Sequence, residues 1–380
     1  MKDSVKYLAP RRKRGAFFSL FLRFFLCLSL LALLPGCGRS TPSLQRFQSQ
    51  FMDVFDTVSV LTGYDRDEKS FQEKAEAVHK ELRDCHALFD IYDDYEGVVN
   101  LKTVNERAGQ GPVKVDGRII ELLKFGKEIY RLTGGKVNIA YGAVLSLWHE
   151  KREEGIADPE HASLPEEDAL LEASKHCRIE DIVIDEDAST VALMDPKMSL
   201  DVGGIAKGYA VQRAGEKAAE LGAKSFLLNI GGNLKAIGRK PDGEKWICPV
   251  ESPFYIDSGE GERYALTTGL SELSLVTSGD YERYYTVNGE RYHHIVDPDT
   301  LYPGKLHRSV TILTADSGLA DALSTALFLM SREEGEALLR RIREEHFRGL
   351  SEGDALEAMW VENDGEKPMT QGFSKYLLPD

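Results

Sequence analysis

Three short stretches of this sequence carry residue types that can handle a phosphate and a hard cation. The first is Ser199-Leu200-Asp201-Val202-Gly203-Gly204-Ile205-Ala206-Lys207-Gly208. It reads as a strand, a glycine turn and a helix start. Glycines let backbone approach a ligand closely, and the open N–H groups of a helix start favour an anion. Lys207 adds a point charge for that anion, and Asp201 an acceptor for a base, ribose or ammonium group. The same residues also suit a plain tight turn with a solvated lysine, and glycines alone do not separate the two. A second pair, Gly231-Gly232, follows the apolar run 225–230 and suits the rim of the same cleft. No Gly-x-x-x-x-Gly-Lys-Ser/Thr pattern is present, which excludes a P-loop, and the dinucleotide Rossmann fingerprint is not matched.

The second stretch is Ala320-Asp321-Ala322-Leu323-Ser324-Thr325. Asp321 and Thr325 are four apart on an expected helix and so share a face. A carboxylate and a hydroxyl there suit a cation of the Mg²⁺ type, although an Asp near a helix start also serves the helix dipole. The third is His293-His294-Ile295-Val296-Asp297-Pro298, with Thr277-Ser278-Gly279-Asp280-Tyr281 upstream. A histidine ordinarily titrates near neutrality, so His294 suits a general base, while a histidine in a strand can equally be packing. No His/Cys spacing supports zinc, and no Gly-x-Ser-x-Gly elbow supports a serine hydrolase.

These residues need elements to hold them. Apolar periodicity predicts helices over 67–88, 119–132, 164–176, 317–329 and 333–344, and one from the glycine turn to about 221. Strands are expected over 52–62, 182–184, 191–193, 200–202, 225–230 and 309–313. Asn288-Gly289 marks a hairpin between 283–287 and 291–296, and the tail from 355 resembles a closing hairpin. Helices and strands follow in mixed rather than regular βαβ order, which gives an α+β class.

The chain has 380 residues, 42% of them apolar, and a formal charge of −15, so it is globular and lacks the basic balance of a nucleic-acid binder. Six basic residues from Lys2 to Arg14 precede an apolar run over 24–34, which ends at Pro35-Gly36-Cys37. This pattern resembles a bacterial lipoprotein signal over 1–36 with Cys37 lipidated, an ordinary cleaved signal or an uncleaved anchor being the alternatives; a tether over 37–50 and a folded domain over 51–380 follow. Removing 1–36 leaves 40 basic and 61 acidic residues, a net of −21. An anionic membrane would repel such a body, so attachment rests on the lipid. The remaining Cys85, Cys177 and Cys248 are odd in number and are expected as thiols rather than a disulfide framework.

Taken in order along the chain, the motifs resemble the ApbE family, the FAD:protein FMN transferases. The resemblance covers about 51–330 and includes Phe55-Asp56-Thr57, Tyr92, residues 138–145 with Trp148, Asp201 to Tyr209, Gly231-Gly232, Thr277 to Tyr281, His294 to Pro298 and Ala320 to Thr325. It implies mixed sheets with packed helices around a flavin-nucleotide cleft. FAD-binding positions fall at Phe55, Tyr92, Lys136, Val137, Asn138, Asp201, Lys207 and Val296. Metal positions fall at Gly204 and Ser324 through main-chain oxygen and at the side chains of Asp321 and Thr325, with Mg²⁺ the implied ion and Mn²⁺ its alternative. His294 matches the histidine that assists the acceptor hydroxyl.

The implied reaction moves FMN from FAD to a Thr or Ser of an exported acceptor protein and releases AMP. The implied acceptor is a subunit of a membrane redox complex or an extracytoplasmic flavoprotein. The same cleft also suits an FAD pyrophosphatase giving FMN and AMP, or a lipoprotein that only binds FAD. The sequence departs from the family pattern at Phe55-Asp56, at Asn138, and at Gln212 and Asn233, where many members carry aspartate. Those departures put the charge beside the flavin pocket in question.

Overall fold

The computed structural model describes residues 43–346 and 355–379, so the expected leader and Cys37 lie outside the described residues. β1 (Gln45–Phe51) and β2 (Ser59–Asp65) pair antiparallel. Residues 45–50, expected as tether, are therefore a sheet edge. The signal for it is the alternation of inward Phe47, Ser49 and Phe51 with exposed Arg46, Gln48 and Gln50. The strand expected over 52–62 is broken by a turn in which Phe55 and Asp56 both take left-handed backbone, φ 53° and 50°.

α1 (Glu68–Phe89) starts where Asp67 caps it, accepting from the Ser70 N–H at 2.7 Å. α2 (Leu101–Glu106) and β3 (Val113–Lys114) follow, and Asp116 caps α3 (Gly117–Leu132). α4 (Gly142–Ala157) was not expected, and α5 (Glu167–Ser174) is shorter than the expected 164–176. β4 (Ile182–Asp185) and β5 (Thr190–Leu193) agree with expectation. Residues 200–202 do not form the expected strand. They run through the interior, with the Leu200 N–H on Asn105 Oδ1 at 2.7 Å and the Asp201 N–H on the Ile139 carbonyl at 2.9 Å.

α6 (Ala206–Glu220), β6 (Ser225–Ile230), β7 (Asn233–Gly238) and β8 (Trp246–Glu251) come next. α7 (Pro253–Ser258), β9 (Tyr264–Leu270), β10 (Ser274–Gly279) and the hairpin of β11 (Tyr284–Val287) and β12 (Glu290–His293) follow. β13 (His307–Thr314), α8 (Ser317–Phe328), α9 (Arg332–His346) and β14 (Leu356–Glu362) complete the fold.

Seven strands form one open antiparallel sheet in the order β1-β2-β6-β7-β10-β13-β14. Its two faces are both covered. Phe226, Leu228 and Ile230 of β6, with Val310 and Ile312 of β13, join a core with Phe71, Leu82 and Leu323 from helices. Leu275, Leu313 and Met359 face the other way and pack with Trp246, Cys248 and Phe373. A sheet buried on both faces explains why 226–228 reads as an apolar run, flanked by the polar Ser225 and Asn229. The result is the expected α+β class. A third apolar cluster stands apart from these two: Val144 and Trp148 of α4 pack with Leu170 of α5, Tyr285 of β11, Tyr292 of β12 and Val296. Cys85, Cys177 and Cys248 are free thiols, the first and last of them buried. Among the described residues no helix is long and apolar enough to cross a membrane.

Candidate active site

A cleft of about 280 Å³ lies between the main core and the third cluster. Phe55, Tyr92, Lys136, Val137, Asn138, Asp201, Gly204, Lys207, His294, Val296, Asp321 and Thr325 all line it. Of the expected site residues only Ser324 does not. It is fully buried, and its hydroxyl donates to the Asp321 carbonyl at 2.9 Å with Ser278 Oγ 2.7 Å away.

The glycine turn and α8 meet directly. Asp201 Oδ1 accepts from the Gly203 N–H at 2.8 Å and closes the turn. No side chain caps the first residue of α6. Asp321 reaches across from α8 instead, and its Oδ2 takes the Gly208 N–H at 2.7 Å. Gly208 is required for this contact, since a Cβ there would stand 2.3 Å from Asp321 Cβ and 2.4 Å from the Ser317 carbonyl. Gly204 lies beside Thr325, whose Oγ1 would be 3.7 Å from an added Cβ. Lys207 Nζ rests on the Gly231 carbonyl at 3.3 Å, which ties the second glycine pair to the same site.

Burial sets the charge states. Asp321 is 7% exposed. Its carboxyl is pushed up to about 6 by burial, against the opposing pull of Lys207 and the Gly208 N–H. Burial likewise raises Asp201, with the Gly203 N–H and nearby Arg283 opposing. His294 falls well below its usual value through burial and then Arg283. Its Nδ1 faces the Glu282 carbonyl at 3.2 Å. A carbonyl only accepts, so Nδ1 carries the proton and Nε2 presents the lone pair.

The remaining expected residues divide by their partners. Tyr92 is 56% exposed and stacks on His149, centroids 4.9 Å apart. Phe55 is held by its N–H on His86 Nδ1 at 3.3 Å. Both rings line the cleft. Lys136 is already neutralised by Asp297 and Asp299, each at 2.8 Å. Asn138 spends its amide on the Cys177 carbonyl and the Ala140 N–H, both at 2.9 Å, so it orients the chain before α4. Gln212 and Asn233 do not line the cleft. They sit at Lys235 and Ser317: Gln212 Oε1 accepts from both, and Asn233 Oδ1 accepts from Ser317 Oγ at 2.7 Å. Their departure from aspartate therefore changes a buried lysine's surroundings and leaves the cleft wall as it was.

The donors at Asp321, Thr325 and the Gly204 carbonyl are all hard oxygens. Among the described residues no group of three His, Cys, Asp or Glu gathers to hold a metal. One buried carboxylate with neutral oxygens fits Mg²⁺, which keeps water and phosphate in its shell, and does not fit zinc. Sequence reasoning missed His149, Arg152 and Arg283, which also line the cleft. The first two lie on α4, the helix that was not expected.

The ApbE family model matches residues 52–347. The chain belongs to the ApbE family. It is 34% identical over 254 residues to a Treponema pallidum protein named FAD:protein FMN transferase, covering 63% of this chain and 67% of that one. A Haemophilus influenzae protein of the same name is 30% identical over 281 residues, covering 70% and 77%. The crystal structure of the ApbE protein from Thermotoga maritima superposes with a TM-score of 0.73 at 27% identity, over 88% of this chain and 100% of that one. The flavin transferase ApbE from Vibrio cholerae, at 22% identity and a TM-score of 0.69, shares the fold.

Proposed function

We propose that this ApbE-family protein transfers FMN from FAD to a Thr or Ser hydroxyl of an exported acceptor protein, releasing AMP, with Mg²⁺ as the metal and Mn²⁺ its alternative. The observation that carries this reading is the meeting of Lys207, the glycine turn and Asp321 in one cleft. Two of the relatives it resembles are named for the same transfer.

Phosphoryl transfer asks a protein mainly for positioning and charge neutralisation. Lys207 and the turn at Gly204 would hold the pyrophosphate, while Phe55 and Tyr92 cover the rings. His294 Nε2, neutral at pH 7, would take the acceptor's hydroxyl proton. The acceptor oxygen then bonds to the FMN phosphorus as the bond to the AMP phosphate breaks. A bound Mg²⁺ at Asp321, Thr325 and Gly204 would supply charge neutralisation for the pyrophosphate oxygens.

The leader pattern supports an extracytoplasmic, lipid-anchored protein attached through Cys37, with a membrane redox subunit or an extracytoplasmic flavoprotein as the acceptor. Mass spectrometry of the mature N-terminus tests the anchor.

Incubation with FAD, Mg²⁺ and a candidate acceptor tests the reaction on a denaturing gel. Flavin fluorescence migrating with the acceptor supports transfer. Free FMN with AMP makes the protein a pyrophosphatase, and tight FAD binding without product makes it a carrier. Lys207→Ala should weaken FAD about tenfold or more, the scale of a lost charge-assisted hydrogen bond, with the fold unchanged. An unaltered Kd by flavin fluorescence would remove Lys207 from the phosphate site.

A further inference from the structure

Arg283 occupies the corner between β10 and β11, where a φ of 42° puts a non-glycine residue in the left-handed region. Such a conformation is strained and persists where the surroundings over-determine it. The surroundings here are specific. Asp280 Oδ2 accepts from Arg308 Nε at 2.7 Å, and the Asp280 N–H bonds to the Arg308 carbonyl at 3.1 Å. On the other side Tyr284 pairs with His293 in the hairpin, and the Arg291 guanidinium covers the Tyr284 ring at 4.2 Å.

The neighbouring arginines are committed. Arg291 and Arg308 both pair with Asp257 and Asp280. Arg283, in a chain rich in carboxylates, forms no hydrogen bond or ion pair with any described residue. Yet it lines the cleft, and its field reaches groups from five separate parts of the wall. These are Tyr92 after α1, His149 on α4, Asp201 before the glycine turn, His294 after β12 and Asp321 on α8. A guanidinium held among such groups and bonded to none is set up for an external anion. A surface arginine serving only solubility has no need of a strained corner.

We infer that Arg283 is a phosphate clamp, gripping two non-bridging oxygens of the phosphoryl group that moves to the acceptor, from a different wall of the cleft than Lys207. The inference rests on the transfer reaction proposed above. A planar guanidinium matches two phosphate oxygens at once, which an ammonium does not. The acceptor oxygen bonds to phosphorus, its proton goes to His294, and AMP leaves with the bridging oxygen. Charge on the equatorial oxygens is largest between these events, where a fixed cation has most effect.

The test uses the full chain with Arg283→Gln and Arg283→Lys. FAD and riboflavin affinities are read by fluorescence, and transfer by single-turnover labelling of an acceptor. Arg283→Gln should bind FAD about tenfold more weakly, bind riboflavin as the wild type does, and transfer about 100-fold or more slowly. Arg283→Lys should bind FAD within about threefold of wild type yet transfer at least about tenfold more slowly. Wild-type FAD affinity and transfer in Arg283→Gln would overturn the clamp. So would an equal loss of FAD and riboflavin, which makes Arg283 a scaffold residue, or full transfer by Arg283→Lys. If the wild type binds FAD but labels no acceptor, the transfer reading falls. A selective FAD loss in Arg283→Gln then still upholds the phosphate contact, and no such loss refutes it.

Discussion

Asp321→Asn is expected to abolish flavin transfer while making the metal-free protein more stable at pH 7.5. The carboxyl is 7% exposed, and burial outweighs both Lys207 and the Gly208 N–H, raising it from 3.8 to about 6. A folded value above the unfolded one means the protonated form is favoured by folding. That contribution is fully present below about pH 4 and is lost as pH rises through about 6. At pH 7.5 the ionised group therefore costs about 3 kcal/mol, because each tenfold change in proton affinity is worth about 1.4 kcal/mol. Asparagine stays neutral, and its carbonyl can still accept from Gly208. Thermal melts in EDTA should show the variant a few degrees above wild type at pH 7.5 and close to it at pH 4. A gap that does not change with pH would show that Asp321 carries no such strain. In-gel fluorescence at unchanged Mg²⁺ reads the other half: full labelling by the variant would remove Asp321 from the proposed metal site. Together the two results describe a residue kept for its charge at the expense of the fold.

Gly208→Ala should force apart the two helices that meet at the site. The new Cβ meets Asp321 Cβ at 2.3 Å and the Ser317 carbonyl at 2.4 Å. Neither is the far end of a flexible side chain, so α6 and α8 must part. Overpacking of this kind, with the Gly208–Asp321 hydrogen bond strained, should cost about 3 kcal/mol and lower transfer with it. Urea denaturation measures the loss. Gly204→Ala is the comparison, because its Cβ would meet nothing nearer than Thr325 Cγ2 at 3.6 Å. It should leave stability near wild type. Equal stability of the two variants would mean that helix packing here is loose enough to absorb a methyl group.

Much of the frame was legible because its signals are local. Asp67 before an apolar stripe marks α1, Asn288-Gly289 marks the β11–β12 hairpin, and the run 225–230 marks β6 in full. The site was legible where a motif and an element coincide, as at Asp201, Lys207, Asp321 and Thr325. The misses share one cause, which is that tertiary partners decide them. α4 has only Val144 and Trp148 as large buried side chains, so no wide apolar stripe announced it, and His149 and Arg152 went unseen with it. Residues 200–202 look like a strand because buried Leu200 and Val202 flank Asp201 in alternation, yet Asn105 and Ile139, far away in sequence, take the Leu200 and Asp201 N–H groups. The Ser324 side chain turns behind the wall toward Ser278, whereas the role expected of this residue is a main-chain one. Gln212 and Asn233 read as cleft residues by family position and turn instead toward Lys235 and Ser317. Spacing along the chain does not specify which side of a wall a residue faces.

The separation of the third apolar cluster from the main core has a mechanical consequence. The cleft is a seam, with Val137, Val202 and Ile205 belonging to one packed body and Tyr141, Trp148 and Val296 to the other. Cohesion across a seam is weaker than within either body, so the two are free to breathe against each other when nothing lies between them. A ligand gripped from both sides acts as a stitch. Loading the protein would then protect amide hydrogens in α4 and the β11–β12 hairpin far more than those of the central sheet, and emptying it would loosen that flank first.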